Sequence, residues 1–82
     1  MIGENLAIGF VLIKTAPAAE RDVYSILKDI DEVQEVHSLF GEFDLIVKLQ
    51  AENFNLLGQV VVDKIRSIKG VEDTKTLTGI EF

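Results

Sequence analysis

The chain has 82 residues, with 14 acidic side chains against 8 basic ones, a formal charge of −6 and no cysteine. A chain this short makes one domain, residues 1–82, with a thin stability margin that favours self-association, and the acidic balance without any Lys/Arg stripe argues against direct nucleic-acid binding. Lack of cysteine removes disulfides, thiolate nucleophiles and cysteine-held metal centres, and with no membrane-length apolar run and no signal-peptide start at residues 1–4 the expectation is a soluble cytoplasmic protein without a membrane partner.

In chain order, residues 6–13 read LAIGFVLI and are apolar on both parities, Leu6, Ile8, Phe10 and Leu12 alternating with Ala7, Gly9, Val11 and Ile13. A strand of that kind is buried on both faces. Lys14, Thr15 and Ala16 lead out of it, and Pro17 fits a first helical position, where its missing N–H is not needed and its fixed φ helps. The helix expected next carries Ala19, Val23, Ile26, Leu27 and Ile30 as one apolar stripe, with Glu20, Asp22, Lys28 and Asp29 toward water.

Two extended runs follow, Val33 to Phe40 and Phe43 to Leu49, and they read as a hairpin turning at Gly41-Glu42, where glycine supplies the positive φ of a tight connection. Asp44 then falls on a strand end beside loop N–H groups. Asn53 is placed to cap a second helix, whose stripe is Phe54, Leu57, Val61, Ile65 and Ile68. The Val60-Val61-Val62 triplet favours strand locally, but helical spacing over the whole window outweighs it. Gly58 costs such a helix roughly 1 kcal/mol against alanine, which points to close packing as its reason. Gly70 suits the helix end, and residues 71–82 form a last, threonine-rich strand.

A shift of 38 positions pairs Val23 with Val61, Leu27 with Ile65, Ile30 with Ile68, Val33 with Val71, Leu39 with Leu77 and Gly41 with Gly79. Two βαβ units in tandem give an α+β, ferredoxin-like βαββαβ fold, a four-stranded antiparallel sheet with both helices on one face. Nothing in the chain is left for the other face, although the first strand is apolar on both sides. Burying one Leu, Ile or Phe is worth about 1.5–3 kcal/mol, so a bare face carrying Val11, Ile13 and Ile46 is expected to pack on a second copy, most simply in an isologous dimer.

Catalytic machinery is sparse. His37 is the single histidine and sits in a strand, without a G-x-S-x-G serine to serve, so the chain reads as a non-enzyme with no cofactor and no metal site. Three features remain for binding. The turn Gly41-Glu42-Phe43-Asp44 offers loop N–H groups to a carboxylate and an aspartate to an ammonium, against the plainer reading of an ordinary hairpin. Thr74 and Thr76 place two hydroxyls on one strand face, as ligand donors or as good strand formers. Glu32, Glu35, Glu72 and Asp73 read as solvated surface.

The stretch VQEVHSLFGEFDLIVKL, followed by a helical segment and then GVEDTKT, resembles the effector-binding, or RAM, domain of the Lrp/AsnC family of prokaryotic transcriptional regulators. The likeness covers essentially the whole chain and rests on Gly41, Phe43 and Asp44 together with Gly70, Val71, Thr74 and Thr76. It implies a domain that dimerises through its sheets and assembles into octamer-like rings, binding an amino-acid effector between dimers. By that resemblance Leu39, Gly41 and Phe43 line the site, Asp44 takes the ammonium or fixes the loop, and Thr74 and Thr76 donate hydroxyls. Family members carry an N-terminal helix-turn-helix domain, whereas only residues 1–5 precede the first strand here, so the expected role is a stand-alone sensor that joins full-length Lrp/AsnC regulators. Two other readings are a small dimeric α/β-barrel enzyme with His37 as base and a purely structural assembly domain.

Overall fold

A computed structural model describes residues 6–79. The element order is β1 (Ala7–Thr15), α1 (Glu20–Lys28), β2 (Val33–Ser38), β3 (Leu45–Ala51), α2 (Phe54–Val60) continued by a π-helical turn (Val61–Ile65), and β4 (Val71–Thr78). The four strands pair antiparallel in the order β2-β3-β1-β4, the ferredoxin-like arrangement. The repeat is visible in the geometry, since Ala7 and Leu45 begin corresponding strands and so do Val33 and Val71.

Side-chain alternation decides which face of β1 lies under the helices. Ala7, Val11 and Ile13 are buried there with Leu45, Val47 and Leu49 of β3, and Val23, Leu27, Leu57, Val60, Val61 and Ile65 close the core from the helix layer. Val11 and Ile13 therefore belong to the core and not to the bare face expected from sequence. The bare face instead carries Ile8, Phe10 and Leu12, flanked by Ile46 on β3 and Leu77 on β4. Gly9 lies on the helix-covered face, where a side chain would meet the Leu57 methyls at 3.0 and 3.3 Å, so its lack of one lets α2 approach closely.

Several local readings also shift. Pro17 lies not in a helix but in a turn closed by Ala19 N–H donating to the Ala16 carbonyl at 3.0 Å. Ala18 there has φ +67°, and α1 starts only at Glu20. Ile26 and Phe54, both assigned to apolar stripes, are exposed, whereas Val60, outside the expected stripe, is buried. The valine triplet stays helical, but the α-helix ends at Val60 and widens into a π turn, in which Arg66 N–H donates to the Val61 carbonyl at 2.8 Å. Asn53 caps α2 as expected, its Oδ1 accepting the Leu56 N–H at 2.8 Å. Gly58 is not explained by packing within the chain, because a Cβ there would touch nothing within 4 Å. Among the described residues no helix is long and apolar enough to cross a membrane.

Candidate functional site

The loop between β2 and β3 is longer than a tight hairpin, since β2 ends at Ser38 and β3 begins at Leu45. Phe43 and Asp44 are thus loop residues and not the first residues of a strand. The loop is nevertheless held at its base. Leu39 N–H donates to the Asp44 carbonyl at 2.8 Å, and Asp44 N–H donates to the Ile13 carbonyl at 2.9 Å.

The Asp44 side chain completes this closure. Its Oδ2 accepts the Thr15 backbone N–H at 2.8 Å and the Thr15 hydroxyl at 3.1 Å. The β1–β3 ladder stops at the Ile13–Leu45 pair, so the carboxylate serves as the acceptor for Thr15 that a longer β3 would have supplied. Thr15 is 7% exposed, the one buried polar residue among those described, and a buried hydroxyl needs such a partner. On its other side Thr15 pairs with Val71 across a register shift that leaves Glu72 unpaired in the ladder.

Register then relates the loop to β4. Ile13 is opposite both Leu45 and Thr74, and Val11 is opposite Thr76. Directly opposed residues share a face, so Thr74 and Thr76 stand on the helix side of β4. Asp44 and Thr74 flank Ile13 at one end of the sheet, two strand spacings or roughly 10 Å apart. Thr74 is half-buried and lines a hollow of about 130 Å³ with Arg66, Val71, Glu72 and Asp73. Thr76 is exposed, as are Leu39 and Gly41, while Phe43 is half-buried. Gly41 has φ +154° and open space where a side chain would project. The structure thus gathers Asp44 and Thr74 about the end of β1 and carries Leu39 and Gly41 outward on the loop. Sequence reasoning missed Thr15, whose tie to Asp44 spans 29 positions and leaves no local signal.

The bare face has its own polar margin. His37 Nε2 lies 2.9 Å from Glu35 Oε1, and Lys48 Nζ lies 3.7 Å from Glu35 Oε2. The His37 hydrogen bond and, after it, the Lys48 charge hold Glu35 below the usual carboxylate range. At the opposite end of the sheet from Asp44, Lys64 donates to both Glu32 oxygens at 3.0 and 3.3 Å, and that hydrogen bond holds Glu32 low as well. These two residues border a cleft of about 470 Å³ whose apolar wall includes Ala51, Leu56 and Val60.

Residues 8–81 match the Lrp/AsnC ligand binding domain. An uncharacterized HTH-type transcriptional regulator of Pyrococcus abyssi is 37% identical over 75 residues, which are 88% of this chain and 50% of that protein; the chain spans about half the length of the curated relatives it matches. The crystal structure of FFRP-DM1 superposes with a TM-score of 0.87 at 35% identity, covering 90% of this chain and 99% of the other. The structure of transcriptional regulator NMB0573 from Neisseria meningitidis in complex with L-Met shares the fold, with a TM-score of 0.82 at 21% identity over 92% of this chain and 50% of that one.

Proposed function

The chain belongs to the Lrp/AsnC ligand-binding-domain family, and from that premise we propose that it is a non-enzymatic, cytoplasmic amino-acid-sensing module whose effector sits between dimers and modulates transcription through full-length Lrp/AsnC regulators. The observation that carries this reading is the loop Leu39–Asp44, pinned to β1 through Asp44 and Thr15 while Leu39, Phe40 and Gly41 stay uncovered. A loop fixed at its base and open at its tip is preorganised for a ligand that arrives with a neighbouring subunit.

In this reading Leu39, Gly41 and Phe43 shape one wall, Gly41 presents loop N–H groups to the effector carboxylate, and Thr74 and Thr76 supply hydroxyls. Asp44 Oδ2 is committed to Thr15, so the fixing of the loop is its first role and its second oxygen is what remains for an ammonium. The bare face with Phe10, Leu12, Ile46 and Leu77 joins two copies, and dimers assemble into a ring. L-Met in the complex of the Neisseria regulator supports the ligand class. Charge-assisted hydrogen bonds of about 1.5–3 kcal/mol each, less the cost of association, leave affinities from micromolar to millimolar, the range of a metabolite sensor.

Calorimetric titration with each of the twenty amino acids tests the reading. Saturable heat is expected for one or a few of them and is expected to weaken at least tenfold in Thr74→Val. Silence with all twenty contradicts it and leaves a purely structural assembly domain.

A further inference from the structure

Thr15 ends β1 in the alternating buried series of Ala7, Val11 and Ile13. Valine has nearly the same shape and would bury there without a polar atom, so a hydroxyl at this place costs desolvation unless it is used. Closing the strand end needs only an acceptor for the Thr15 backbone N–H, and Asp44 Oδ2 supplies it at 2.8 Å. The hydroxyl then brings a second donor to the same oxygen at 3.1 Å. Thr15 is itself held from the other side, by its pairing with Val71 and by Ala16 N–H donating to the Gly70 carbonyl at 2.8 Å. It is the fixed point from which the β2–β3 loop hangs.

Asp44 is held at three atoms. Its N–H donates to the Ile13 carbonyl, its carbonyl accepts the Leu39 N–H, and its Oδ2 accepts both Thr15 donors. Two donors on one carboxylate oxygen occupy both of its lone-pair directions, so Oδ2 has no capacity for a third. Oδ1 takes no hydrogen bond and joins no ion pair among the described residues. Among those residues no side-chain oxygen is enclosed without a partner, so Oδ1 opens to the surface. The carboxylate thus shows one oxygen in one direction, with no cation of the described residues beside it.

We propose that Thr15 is a positioning residue for effector recognition: by filling Oδ2 with its hydroxyl, it leaves Oδ1 as the single oxygen through which Asp44 meets the effector's ammonium. The inference rests on the amino-acid reading above and adds the residue that makes the amine count. A charge-assisted hydrogen bond contributes most when its acceptor is aimed before the ligand arrives. Without the hydroxyl the carboxylate turns about its remaining bond to the Thr15 N–H, and the ordering cost falls on the ligand.

Calorimetry on the full chain tests it with two probes: the L-amino acid that gives the largest heat in the titration above, and the same acid with hydrogen in place of its amine. Wild type is expected to favour the amine-bearing probe at least tenfold. Thr15→Val and Thr15→Ala both lack the hydroxyl, and circular dichroism checks their folding. In either one the amine-bearing probe should weaken about fivefold, while the amine-free probe stays within about twofold of wild type. Thr15→Ser restores the donor and should bind both probes as wild type does. A role confined to the shape of the loop weakens both probes alike, and that result overturns the proposal. So does undiminished binding of the amine-bearing probe in the hydroxyl-free variants, a Thr15→Ser protein that behaves as Thr15→Val does, or the failure of both hydroxyl-free variants to fold. Equal binding of both probes by wild type removes Asp44 as the partner of the amine, and the proposal with it, while leaving the sensor reading in place. Silence with all twenty amino acids removes that reading first.

Discussion

Asp44 accepts both the backbone N–H and the hydroxyl of Thr15 on one carboxylate oxygen, at 2.8 and 3.1 Å. That pair ties the β2–β3 loop to the end of β1 and satisfies a threonine that is otherwise enclosed. Asp44→Ala is expected to cost about 2–4 kcal/mol, because it deletes charge-assisted bonds and leaves buried donors without a partner. Asp44→Asn keeps an acceptor and should cost less than about 1.5 kcal/mol. Urea denaturation measures both, and amide hydrogen exchange should show Thr15 losing protection in the alanine variant first.

The turn out of β1 and the entry to β4 make a matched pair of backbone predictions. Gly70 has φ +102°, and a Cβ there would stand 2.9 Å from the Ala19 Cβ and 3.2 Å from a Val23 methyl. Gly70→Ala should therefore lose at least about 2 kcal/mol from strain and overlap together. Ala18 is the opposite case, an alanine at φ +67°. Ala18→Gly should relieve strain of about 1 kcal/mol, offset in part by the extra freedom of glycine in the unfolded chain. Thermal melts should move in opposite directions for the two variants.

Much of the architecture was legible in the sequence because two independent signals agreed. Helical spacing set α1 and α2, and the Val33–Val71 and Val23–Val61 correspondences marked a duplicated βαβ unit. Which face of β1 the helices cover was not legible, since a strand apolar on both parities does not say which side they choose; in the structure Leu57 packs against Gly9 on the covered side. Ile26 sits at the margin of its stripe, where periodicity barely separates inside from outside, and Phe54 is the first residue of α2, where spacing counted from residues further along the helix says least. Of the candidate site, Gly41 and Asp44 stood out through turn chemistry, and the alternation of Thr74 and Thr76 on one face follows from strand period. Thr15 did not stand out, because a partner far along the chain carries no local pattern.

Acid sensitivity follows from the two lowered carboxylates. Glu32 and Glu35 are each held below the ordinary glutamate value, so their contribution to stability is complete above that value and is lost as pH falls through their folded values. For the partly exposed Glu32–Lys64 pair the contribution is about 0.2–1 kcal/mol. Lys64→Met should lower the urea midpoint at neutral pH, and the gap to wild type should close in acid. A gap that is the same at both pH values would remove the pair from the account.

The most direct measurement for the central claim is sedimentation equilibrium of wild type and Phe10→Asp from low to high micromolar concentration. Phe10 lies on the sheet face that the helices leave bare, opposite Leu77 and Lys48. A second copy covering that face makes the wild type no smaller than a dimer throughout, while Phe10→Asp becomes a folded monomer. A wild type that is monomeric across the range, or a Phe10→Asp protein that associates as wild type does, contradicts the claim that this domain works only as a set of copies.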